Sequence, residues 1–269
     1  MSWARILAPL SGGPDDKAVL AAASEIARPF GAEVAGVYVP PDIAELTPWM
    51  GEGLMGGVQA VTVDSIADAA AEGETAARAA CEQGPAGCAF VTLASPVWAN
   101  LALEARLSDV VVFDAETARG HGPLADSFRQ IVVGEQRPVL VARGAVQAGG
   151  VVAVAWDGGK EASRAARTAL PLLEKATKVV ILTAGCGSGR NCQPERLQAF
   201  FAARGLESDV QLLKGQGDAA NLLLEAARGL GANLMVAGAF GHPRLREFIF
   251  GGTTRTFLAA EQPALFLSH

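Results

Sequence analysis

Ile6-Leu-Ala-Pro-Leu-Ser11-Gly12-Gly13 and Val152-Ala-Val-Ala-Trp-Asp157-Gly158-Gly159 are two copies of one pattern, and their recurrence decides the fold. In each copy an apolar run enters a Gly-Gly turn and then an Ala-rich segment, predicted as helices over residues 15–29 and 160–174. A second apolar run follows each helix, over 33–39 and 178–183. Strands are predicted next at 89–93 and 208–213, each leading into a helix, 98–107 and 219–230. Further strands fall at 108–113 and 233–237, and each half closes on a Pro-led run, 138–142 and 263–267. Strands alternating with helices imply βαβ units and a parallel sheet covered on both faces. The expectation is therefore an α/β chain of two five-stranded domains, residues 1–145 and 150–269, with the Gly/Ala-rich stretch 143–150 as linker.

Composition narrows the classes. Half of the 269 residues are hydrophobic, enough to fill a substantial core. Lys and Arg number 22 against 28 Asp and Glu, for a net charge of −6, and no basic cluster stands out, so a nucleic-acid partner is not expected. The N-terminal residues enter a strand-like run without signal-peptide architecture, and no apolar run is long enough to span a bilayer. A cytoplasmic protein without a membrane partner is the expectation. Cys81, Cys88, Cys186 and Cys192 form no Cys-x-x-Cys pair and only three histidines exist, so no zinc site is expected. The close spacing of Cys186 and Cys192 fits either a redox switch or a plain surface loop.

The second half carries the candidate site. Gly238-Ala-Phe-Gly241 leaves the strand at 233–237, nine residues follow (242–250), and Gly251-Gly252-Thr253-Thr254 opens a helix. Glycines at a strand-to-helix junction let backbone N–H groups approach a ligand, and a helix N-terminus favours an anion. The segment reads as a phosphate cradle or as an ordinary tight βα connection, which uses the same residues. Ligands of open parallel sheets bind beyond the strand carboxyl ends, where neighbouring connections diverge. If the first and fourth strands of this half flank that point, Asp157 and Gly238 emerge side by side. Asp157 then accepts hydrogen bonds from a ribose or base.

Asp157, Gly238, Gly241 and Gly251, with the nine-residue gap intact, resemble the universal stress protein family, whose pattern ends Gly-x-x-Gly-x9-Gly-[Ser/Thr]. The resemblance covers nearly the whole chain in two copies. It implies Rossmann-like, adenine nucleotide alpha hydrolase-like domains and an adenine nucleotide, ATP or AMP, with or without Mg²⁺. It also implies an intrachain pseudo-dimer of the two domains and leaves a further homodimer and an unknown protein partner open. The expected ligands of the nucleotide are Asp157, Gly238, Gly241, Gly251, Gly252, Thr253 and Thr254. Gly252 stands where the family has Ser or Thr, and the hydroxyls come one and two positions later.

The first half departs further. Ser11 replaces the Asp, no second glycine cluster follows Gly120 and Gly122, and Asp114 and Glu116 would repel a phosphate. It is expected to be a degenerate, structural copy. An insertion over 40–62 reads as a lid, a partner surface or filler packed on the neighbouring half. His242, Arg244, Arg246 and Arg255 are candidate phosphate partners, with solvated side chains or an Arg255–Glu261 pair as the alternative. Asp218 is expected to cap the helix that follows it. No Ser/His/Asp set, Walker-type loop or catalytic carboxylate pair is found, so no catalytic residue is assigned. A binding protein is favoured, with a nucleotide-free scaffold and a slow ATP hydrolase as rivals.

Overall fold

The computed structural model describes residues 2–41, 56–84, 88–144, 146–185, 192–215, 217–239 and 252–269, and its ten strands form one sheet. The first half supplies β1 (Arg5–Leu10), α1 (Asp16–Ala27), β2 (Glu33–Tyr38), α2 (Gly56–Glu82), β3 (Ala89–Thr92), α3 (Val97–Arg106), β4 (Val110–Asp114), α4 (Ala115–Arg119), α5 (Ala125–Arg129) and β5 (Val139–Ala142). The second supplies β6 (Val151–Ala155), α6 (Lys160–Thr168), α7 (Leu170–Leu173), β7 (Lys178–Ala184), α8 (Pro194–Ala202) and β8 (Asp209–Leu213). It continues with α9 (Ala219–Gly229), β9 (Leu234–Gly238), α10 (Gly252–Ala259) and β10 (Ala264–Ser268).

Strand order is β3-β2-β1-β4-β5-β10-β9-β6-β7-β8. Each half thus has the order third, second, first, fourth, fifth, and its connections diverge between first and fourth strands. Every pairing is parallel except β5 with β10, where Leu265, Phe266 and Leu267 lie opposite Val141, Leu140 and Val139. That antiparallel seam joins the halves into one sheet and realises the pseudo-dimer. Alternate side chains divide between two apolar layers: Ile6, Ala8 and Leu10 pack with α1, α2, α6 and α8, while Leu7 packs with residues of α3, α9 and α10 on the other side. Both layers run across both halves. At the seam, Trp3 of the first half stacks on Phe266 of the second with ring centroids 6.1 Å apart.

Several local expectations are corrected. The helix expected over 160–174 is two, with Pro171 in the first turn of the second, because proline cannot donate the hydrogen bond that would continue the first. Of the insertion, residues 56–62 form the start of α2, a 27-residue helix; 42–55 lie outside the described residues. Asp218 occupies the N-cap of α9, but its side chain makes no capping hydrogen bond. Arg143, read as the first linker residue, is buried. Cys81 at the end of α2 and Cys88 before β3 form a disulfide, their Cα atoms 5.5 Å apart. No described cysteine is free, and Cys186 lies outside the described residues.

Candidate functional site

The turns after β1 and β6 are built alike. Gly12 and Gly158 both take the left-handed backbone conformation that glycine adopts without strain, at φ 80° and 78°. In the first half the Gly13 N–H donates to Ser11 Oγ at 3.2 Å; in the second the Gly159 N–H donates to Asp157 Oδ1 at 2.8 Å. The helices that follow keep the same phase. Asp16, Val19 and Leu20 are buried in α1, and Ala162, Ala165 and Ala166 in α6, an offset of 146 at every position.

That offset exposes the decisive difference. In the first half the carboxylate of Asp16, 4% exposed, accepts from Ser11 N at 3.0 Å, Ser11 Oγ at 3.3 Å and Gly12 N at 2.8 Å. An internal anion therefore occupies the N–H groups of this turn. Burial pushes the Asp16 carboxyl above its ordinary value, against the pull of those hydrogen bonds, and Asp114 adds to the rise. Burial also raises Tyr38, with the charges of Glu74 and Asp16 adding to it. A cleft of about 570 Å³ opens here, bordered by Gly12, Gly13, Asp15, Glu72 and Gly73. α2 closes over the turn so tightly that a Cβ on Gly12 would lie 2.4 Å from Gly73 Cα. The N–H groups of Ser11, Gly12 and Gly13 are already taken, and the carboxylates of Asp15 and Glu72 at the cleft border oppose a phosphate. Asp114 and Glu116 are committed locally. Asp114 accepts from Thr117 N at 2.7 Å and caps α4, and Glu116 pairs with Arg119 and His121.

In the second half the residue equivalent to Asp16 is Ala162, and no carboxylate reaches the turn from that position. Asp157 is exposed. The pairing of Val154 with Val236 sets Asp157, three residues on, beside the end of β9 at Gly238, so the two sequence-predicted residues do emerge together at the divergence point. Gly238 has a packing reason as well: a Cβ there would lie 2.5 Å from Ala162 N, so its absence admits the start of α6. Lys160 and Arg164 stand where the first half has Pro14 and Ala18, adding positive charge at this end. Arg164 donates to the backbone oxygen of His269 at 3.0 Å, and Lys160 lies 3.3 Å from Glu161. Sequence reasoning missed Asp16, Lys160 and Arg164. The signal for Asp16 was a carboxylate in register with the apolar stripe of α1.

The first turn of α10 opens at the same sheet end, because α10 precedes a strand parallel to β9. Gly252 and Thr253 are exposed there and Thr254 is buried. Arg255 is exposed and makes no ion pair with Glu261 among the described residues. The expected contributions of Gly241, Gly251, His242, Arg244 and Arg246 fall outside the described residues. Among the described residues, no group of three or more His, Cys, Asp or Glu side chains could hold a metal ion. No described helix is long and apolar enough to cross a membrane.

Comparison with solved structures places this architecture. A universal stress protein from Archaeoglobus fulgidus DSM 4304 superposes with a TM-score of 0.66 at 16% identity, over 98% of this chain and 95% of that one. A functionally unknown protein from Pseudomonas aeruginosa PAO1 superposes with a TM-score of 0.55 at 14% identity, over 99% and 92%. No family model matches the sequence, and no curated protein sequence matches it. The likeness lies in the fold: end to end, the chain has the tandem fold of a universal stress protein.

Proposed function

We propose that this chain is a universal stress protein-like nucleotide-binding protein that holds one adenine nucleotide, ATP or AMP, in its second domain, residues 150–269. The first domain, residues 1–145, is a structural partner. The observation that carries the reading is the contrast between twin turns: the first is filled by the Asp16 carboxylate, and in the second, with Ala162 in its place, no carboxylate of the following helix fills the turn beside an exposed Asp157. In this reading Asp157 accepts from the ribose or base. Backbone N–H groups around Gly158, Gly238 and Gly252, with the Thr253 hydroxyl, face the phosphates, and the N-terminus of α10 favours their charge. Lys160 offsets it further. Gly241 and Gly251 complete the cradle by their place in the sequence pattern.

Thermal denaturation tests this directly. Nucleotide at a hundred times its Kd stabilises the folded chain by about 2.7 kcal/mol, a shift of roughly 5–10 °C for a cooperative unit of this size. ATP and AMP are expected to raise Tm on that scale. No shift at millimolar nucleotide would leave the nucleotide-free scaffold as the better reading.

A further inference from the structure

The C-terminus of α10 is held by two arginines of the other half. Arg143, just past β5 and 6% exposed, donates from Nη1 to Phe257 O at 2.8 Å and from Nη2 to Leu258 O at 2.7 Å. Arg119 of α4 donates from Nε to Leu258 O at 3.3 Å and from Nη2 to Ala260 O at 3.5 Å. Arg5, Arg28, Arg78, Arg106, Arg119 and Arg129 each hold a carboxylate; Arg143 holds none among the described residues. Its charge is buried against helix carbonyls alone, with Nε left without a partner. Burial lowers its pKa to about 10, with the charge of Arg119 contributing. A buried charge without a counter-charge is costly unless something compensates it, and the helix C-terminus does so in part.

We infer that Arg143, assisted by Arg119, is a positioning residue for the nucleotide: the first half grips the far end of α10 and so fixes and polarises the helix whose near end faces the phosphates. This rests on the nucleotide reading above. Guanidinium charge at the C-terminus and phosphate charge at the N-terminus act on the helix dipole in the same sense. Eight residues span about 12 Å, and a hydrogen-bond stand-off at each end puts the guanidinium and a phosphate about 18 Å apart. There a unit charge changes the affinity for one phosphate charge about fivefold at an effective dielectric of 20, and the several charges of ATP bring the effect to about tenfold. The arrangement is one-sided. Ser268, not an arginine, follows Leu267 of β10 where Arg143 follows Ala142 of β5, and among the described residues no arginine of the second half donates to the carbonyls of a first-half helix end.

The test is isothermal titration of the full chain and of Arg143→Met with ATP, AMP and adenosine. The expected result is ATP binding weaker by about tenfold, AMP weaker by less, and adenosine unchanged. Arg143→Lys, which restores the charge but not the two-pronged donor, is expected to recover most of the ATP affinity. If Arg143→Met does not fold, Arg119→Gln replaces it, with the same ordering at smaller amplitude. An equal loss for all three ligands would make Arg143 a purely structural residue, and no loss for any would remove its role; either overturns the inference alone. Failure of the unaltered chain to bind any of the three overturns the nucleotide reading along with it.

Discussion

Ala162→Asp moves the plug of the first turn into the second. The two turns match in the φ of Gly12 and Gly158, in the side-chain oxygen that accepts from the N–H two residues on, and in the phase of the following helix. A carboxylate introduced at position 162 is therefore expected to reach the N–H groups of Asp157 and Gly158, as Asp16 reaches those of Ser11 and Gly12 at 3.0 and 2.8 Å. Placed about 4–6 Å from a nucleotide anion, a unit charge opposes binding by about 3–4 kcal/mol at an effective dielectric of 20. Solvent at the mouth reduces this to about 2–3 kcal/mol, a loss of roughly 30- to 150-fold in affinity. Stability is expected to fall far less, by about 1 kcal/mol, since new hydrogen bonds from the turn offset most of the burial cost. The assay is titration of a fluorescent ATP analogue at low salt, with urea unfolding run in parallel. A folded Ala162→Asp variant that binds within threefold of the parent would refute the argument that an open turn marks the working site.

Three other outcomes follow from the structure. Because burial raises the Asp16 carboxyl in the folded chain, its stabilising contribution is present below the ordinary value of 3.8 and is lost as pH rises through the raised value. Denaturant unfolding across pH should show that fall in the parent and not in Asp16→Asn. Gly252→Ser places a hydroxyl where the universal stress protein pattern carries Ser or Thr, at a position where an added Cβ meets nothing within 4 Å. It should raise stability by about 0.5 kcal/mol and tighten ATP binding, with a drop in either measurement counting against the assigned register. Opening the Cys81–Cys88 link with Cys81→Ser and Cys88→Ser together, at a sequence separation of 7, should cost about 2–2.5 kcal/mol on the chain-entropy account. The reduced parent should match the double variant by urea unfolding, and unequal values would contradict that account.

The fold was legible because each buried strand is a short apolar run bounded by turn residues, and the Gly-Gly repeat gave the strands their register. What was not legible depends on long-range contacts. α2 is rich in Ala, Gly and Glu, with too weak an apolar stripe to announce that it closes over Gly12. Arg143 sits in a Gly/Ala-rich stretch with the look of a linker. Only the antiparallel meeting of β5 with β10 brings it to the end of α10. Asp157 and Gly238 were readable as a pair because parallel topology forces the first and fourth strands together. Asp16 escaped notice because a carboxylate near a helix start reads as a favourable first-turn acid, and its true partners lie in the preceding turn. The disulfide joins the end of a helix that the sequence reading did not identify to the start of β3.

The central claim is one adenine-nucleotide site per chain, in the second half. Calorimetric titration of the purified chain with ATP tests it most directly, repeated for Asp157→Ala and Ser11→Ala. The account predicts a stoichiometry of about one, abolished by Asp157→Ala and untouched by Ser11→Ala. Two sites per chain, or binding that survives Asp157→Ala and disappears in Ser11→Ala, would contradict it.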